Sequence, residues 1–116
     1  GTRVELRCPD PAANPYLVLA VCLEAGLDGI RNQITPPDAV TENVFEMQLQ
    51  QRAKLGIESL PGDLEQAVEE LEKDDYIKSV LGGHITEKYL EAKRAEWADY
   101  RAQVTEWEIE KYLYKI

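Results

Sequence analysis

Apolar and polar residues alternate strictly from Thr2 to Cys8, with Val4, Leu6 and Cys8 on one side and Arg3, Glu5 and Arg7 on the other. A period of two is that of a half-buried strand, and it predicts a strand over 2–8. No other stretch of the chain predicts a strand convincingly. A lone strand leaves its own backbone hydrogen bonds unmade, so its ladder partners are expected outside this segment or in another copy of the chain. Further on, the spacing lengthens to that of helices. Asn14 followed by Pro15 makes a cap and first position for a helix over about 15–34, apolar all round in its first half and then striped by Leu27, Ile30 and Ile34. Residues 35–62, with Pro36, Pro37, Gly56, Pro61 and Gly62, read as a long irregular connection holding one short helix near Met47 to Leu55.

Beyond Gly62, Leu64, Ala67, Val68 and Leu71 recur at helical spacing behind an Asp63 cap, predicting a helix over 63–72. Ile77, Val80 and Leu81 predict another over 75–81, stopped by Gly82-Gly83. Thr86 opens a longer helix, 86–104, with Tyr89, Trp97, Tyr100 and Val104 on its apolar side. Thr105 and Glu108 form a capping box for a last helix over 105–114, where Ile109, Tyr112, Leu113 and Ile116 make one stripe. The segment is therefore expected to be mostly α-helical with one N-terminal strand.

Charge narrows the function classes. Thirteen Lys and Arg stand against 22 Asp and Glu, a net charge of -9, which argues against nucleic acid as a direct partner. Residues 35–83 alone carry four basic and eleven acidic groups, expected on solvated helix faces. The longest nearly unbroken apolar run, Tyr16 to Leu23, is far short of the ~20 residues that cross a bilayer, so no membrane association is expected. Cys8 and Cys22, with no close pair and no ligand-spaced histidines, indicate neither a disulfide framework nor a zinc site, and a reducing cytoplasm fits. The opening Gly1 suggests an internal segment.

Candidate chemistry centres on Arg3, Glu5 and Arg7, two guanidinium groups flanking a carboxylate, about 7 Å between successive side chains of one strand face. Arginine grips phosphate or carboxylate oxygens with paired hydrogen bonds. A carboxylate suits Mg²⁺. On the pattern alone, a solvated face with cross-strand ion pairs is the preferred reading. His84, the only histidine, is expected in a loop with no catalytic role. Trp97, Tyr100, Trp107 and Tyr112 lie among acidic residues, which favours core packing or a protein interface over base stacking. There is no P-loop, GxGxxG motif or activated nucleophile.

The run Arg3-Val-Glu-Leu-Arg-Cys-Pro-Asp-Pro-Ala-Ala-Asn-Pro-Tyr16, followed by Ala25-Gly-Leu-Asp-Gly-Ile30, closely resembles the C-terminal part of type I bacterial glutamine synthetase. The likeness continues through Thr41-Glu-Asn-Val, Leu60 to Leu71 and Trp107-Glu-Ile-Glu-Lys-Tyr112, so it covers residues 1–116 as one C-terminal portion of the catalytic domain. The resemblance implies an α+β parent enzyme that makes glutamine from glutamate, ammonia and ATP through γ-glutamyl phosphate. It also implies two divalent metals, Mg²⁺ or Mn²⁺, and other subunits of a double-ring homo-oligomer as partners. On the family's R-[IV]-E-x-R motif, Glu5 is implied as a metal ligand, Arg3 as an ATP-phosphate contact and Arg7 as a catalytic contact to glutamate or phosphoryl oxygens.

Where many enterobacterial-type members carry a tyrosine that accepts AMP, this chain has Phe45, which looks more like the feedback-inhibited Gram-positive type. The segment alone is expected to be inactive, since the other metal ligands belong upstream. Two further readings stay open: a related ligase for another amine, and a non-enzymatic helical interaction module.

Overall fold

The structure, a computed structural model, describes residues 1–115. Ile116, the last member of the expected tail stripe, lies outside the described residues. Six α-helices occur among them: α1 (Pro15–Arg31), α2 (Leu49–Lys54), α3 (Leu64–Lys73), α4 (Asp75–Leu81), α5 (Gly83–Arg101) and α6 (Glu106–Glu108). A 3₁₀ turn covers Val44–Glu46, and a π-helical turn covers Ile109–Leu113.

No strand is found among the described residues, which corrects the expectation for 2–8. The reason is that an isolated strand has nothing to bond to, and this chain brings no second extended segment alongside it. Val4, on the side expected to be covered, is 97% exposed, and Leu6 is also exposed.

Helix starts follow local side-chain caps. Asn14 Oδ1 accepts from the backbone N–H of Tyr16 and Leu17, Asp63 from Gln66, and Asp74 from Ile77. Ends depart further from the pattern. Helix α1 stops at Arg31, three residues before the expected end, because Gln33 takes a left-handed backbone (φ 51°). The chain then folds back so that Ile34 N–H donates to the Gly29 carbonyl and Gln33 N–H to that of Ile30. This is a Schellman ending without glycine. Helix α2 ends the same way with Gly56 (φ 66°) at that position, and there Ile57 N–H reaches the Arg52 carbonyl.

Gly82 (φ 79°) closes α4 after Leu81, as expected, and Gly83 already begins the long helix, three residues before the expected start at Thr86. Thr86 therefore lies inside α5, buried, with its hydroxyl donating to the Lys78 carbonyl of α4 at 3.2 Å. His84, expected in a loop, sits exposed in the first turn of α5.

Packing joins α1 to α4, α4 to α5, and α3 to both α4 and α5. The α1–α4 contact holds a polar tie, with Tyr76 Oη donating to the Glu24 carboxylate at 3.2 Å while Arg31 pairs with the same carboxylate at 3.1 Å. Desolvation, with the Glu24 carboxylate beside it, raises the Tyr76 pKa. Among the described residues only Val68 and Thr86 are buried. The radius of gyration is 18.5 Å, against ~13 Å for a compact chain of this length. Much apolar surface is left uncovered, including Tyr16, Leu19, Leu23 and Ile30 of α1.

The tail widens after its first turn. Thr105 and Glu108 make the reciprocal box, with Glu108 N–H donating to Thr105 Oγ1 at 3.2 Å and Thr105 N–H to Glu108 Oε2 at 2.8 Å. From Ile109 the turn is π-helical, which pairs residues five apart. Trp107 and Tyr112, five apart, accordingly meet edge to face with centroids 5.9 Å apart. Ile109, Tyr112 and Leu113 remain exposed.

Candidate functional site

Arg3, Glu5 and Arg7 are brought together on one side of the N-terminal segment. Arg7 Nε donates to Glu5 Oε1 at 2.6 Å, and Arg3 Nη2 lies 3.6 Å from Glu5 Oε2. The alternation explains this, since residues two apart in extended backbone share a face. Both guanidinium groups are largely open and the carboxylate is 48% exposed, so the trio is accessible and weakly held in isolation. The arrangement offers two positive forks around one hard oxygen donor, a group able to receive phosphate oxygens or a divalent cation. Among the described residues there is no cluster of three or more His, Cys, Asp and Glu suited to a metal. Glu5 is the only carboxylate of the trio.

The loop following α1 presents Phe45 fully exposed. Asn43 shapes its 3₁₀ turn, accepting from the Phe45 N–H at 3.2 Å and donating through Nδ2 to Glu46 at 3.0 Å. Of the groups singled out from sequence, His84 takes no part in the trio's bonding, and Trp97 and Tyr100 instead pair with each other on α5 at 5.9 Å. Sequence reading did not find a cleft between α3 and α5, lined by Glu65, Glu69, Glu72, Arg94, Trp97 and Arg101. The signal available was the i, i+4, i+7 spacing of its glutamates; the pairing of the two helices was not visible.

The fold and this trio define a helical segment that presents an oxygen donor between two arginines and leaves much of its apolar surface uncovered. Residues 1–112 match the family model described as glutamine synthetase, catalytic domain. The chain belongs to that family. It is 52% identical to the glutamine synthetase of Clostridium saccharobutylicum over 99% of this chain and 26% of that protein. To that of Methanocaldococcus jannaschii it is 52% identical over 97% of this chain and 25% of that one, and to that of Staphylococcus aureus 46% over the same shares. The chain thus spans about a quarter of the length of these relatives. A solved structure described as apo GmaS without ligand superposes with a TM-score of 0.77 at 42% identity, covering 93% of this chain and 24% of that one. No helix among the described residues is long and apolar enough to cross a membrane.

Proposed function

We propose that the protein works as one segment of a glutamine synthetase, joining ammonia to glutamate with ATP through γ-glutamyl phosphate. The observation that carries this reading is the Arg3–Glu5–Arg7 trio, lying inside the span that the family model matches. Arg3 binds an ATP phosphate, and Arg7 holds glutamate or the phosphoryl oxygens through its planar fork. Glu5 supplies one oxygen ligand to Mg²⁺ or Mn²⁺, which when bound neutralises charge on the transferring phosphoryl group. The other ligands, the second wall of the site and the covers for α1 come from the rest of the domain and from other subunits of a double-ring assembly in the cytoplasm. Phe45 has no hydroxyl to accept AMP, so regulation follows the feedback-inhibited type.

The test has two parts. Incubated with ATP, glutamate, ammonia and Mg²⁺, the 116-residue chain alone should form no glutamine. In the intact synthetase, Glu5→Ala should lower turnover at least about a hundredfold and weaken a divalent metal, since a lost charged ligand is felt at both steps. Arg7→Lys should also be severe. Unaltered turnover of the Glu5→Ala enzyme at ordinary Mg²⁺ would return the trio to a plain ion-paired surface.

A further inference from the structure

The cleft between α3 and α5 shares no residue with the Arg3–Glu5–Arg7 trio, and its walls carry opposite charge. Glu65, Glu69 and Glu72 fall on one face of α3, while Arg94, Trp97 and Arg101 fall on one face of α5. Its volume is about 300 Å³. Glu72 and Arg94 form an ion pair across it, and next to it Lys73 is held by Glu70 at 2.8 Å. That leaves Glu65, Glu69 and Arg101 without an ion-pair partner among the described residues. Val68 and the Trp97 indole add apolar surface between the charged walls. The indole Nε1–H is covered yet has no acceptor, which favours any rearrangement that offers it one.

These charges select a ligand. A simple anion suited to Arg101 meets Glu65 and Glu69. A simple cation leaves Arg101 unanswered. A molecule with one carboxylate and two cationic groups, joined by an apolar stem, matches all three groups and the surface between them. We propose that this cleft binds a free basic α-amino acid of the lysine type. Its carboxylate pairs with Arg101, its two ammonium groups with Glu65 and Glu69, and its methylene stem lies against Val68 and Trp97. The walls are exposed to solvent, so binding is weak and reversible, as suits a sensor of amino-acid supply.

The probe is L-lysine added to the ¹⁵N-labelled 116-residue chain, with helical content followed by circular dichroism and the Trp97 indole resonance identified by Trp97→Phe. Lysine should shift that resonance saturably and leave the Trp107 resonance in place. L-norleucine, cadaverine and Nα-acetyl-lysine keep the stem but each lacks one charge, and each should bind about two- to fivefold more weakly, the share of one exposed ion pair. Arg101→Gln and Glu69→Gln, both on exposed positions, should weaken lysine by a similar factor at unchanged ellipticity. No saturable shift with lysine overturns the proposal. So does cadaverine binding as well as lysine, which would make the cleft a cation patch only. Nα-acetyl-lysine binding equally well also overturns it, making the cleft a dock for the terminal residue of another chain.

Discussion

Helices α3 and α5 cover each other, whereas α1 is covered on only one side. Val68 of α3 is 6% exposed, and α3 contributes its apolar stripe to that contact. Helix α1 is richer in apolar residues, yet Leu19 and Leu23 stay mostly exposed and none of its residues is buried. The difference follows from patterning. A narrow apolar stripe is satisfied by one neighbouring helix, while a helix apolar all round needs neighbours on every side. The first region finds cover for its central residue, Val68, within the chain. The second, together with the unpaired segment before it, leaves its apolar surface uncovered among the described residues.

The sharpest way to break this comparison is to place a charge in each region. Val68→Asp should unfold the α3–α5 pair, because a buried carboxylate with no partner costs several kcal/mol. Leu23→Asp should change the stability of the chain alone by no more than about 0.5 kcal/mol, since that side chain already faces water. Urea unfolding followed by circular dichroism measures both. Equal losses would mean that α1 finds cover in solution that the structure does not show. In the intact synthetase the Leu23 substitution should become severe.

How much was legible in the sequence divides along similar lines. Helix starts were legible because a cap acts within three residues: Asn14, Asp63 and Thr105 were readable as such and bond as caps. The end of α1 was not, because the left-handed position that usually carries glycine is filled by Gln33. The stop at Gly82 was legible, and α4 ends at Leu81 as expected, but the start of α5 at Gly83 was not, because the pattern could not show that one glycine turns the chain and the next resumes the helix. The grouping of Arg3, Glu5 and Arg7 was legible from alternation alone. Whether they form a strand was not, because that depends on ladder partners that no local pattern contains.

The two Schellman endings allow a smaller, paired test of the same contrast between local and tertiary control. Gln33→Gly removes the Cβ from a left-handed residue and should stabilise the chain by a few tenths to about 1 kcal/mol, the gain being partly offset by the freer unfolded state. Gly56→Ala places a Cβ on the equivalent position after α2 and should destabilise by about 1 kcal/mol, although the space around it is open. Thermal melts of both variants decide it. Opposite signs mark backbone conformation as the controlling factor, and equal signs would mean that the surrounding contacts dominate at both ends.

The smallest effect expected is at the tail, where stability rests on the capping box and not on burial. Bonds from the Thr105 backbone N–H and hydroxyl hold the Glu108 carboxyl below its ordinary pKa of 4.5. A depressed pKa in the folded state means that the ionised form is the one the fold prefers. The contribution is therefore fully present above that ordinary value and is lost as pH falls through the lowered one. Protonation removes the charge that favours both bonds at Thr105, so the first turn should fray and Trp107 should lose its edge contact with Tyr112. Trp107 emission, recorded in a Trp97→Phe background, should change over that acidic range. Glu108→Gln keeps an acceptor but cannot titrate, and it should flatten the change. A profile identical in the Gln variant would assign the acid response to the surrounding carboxylates, leaving the box without a part in holding the tail.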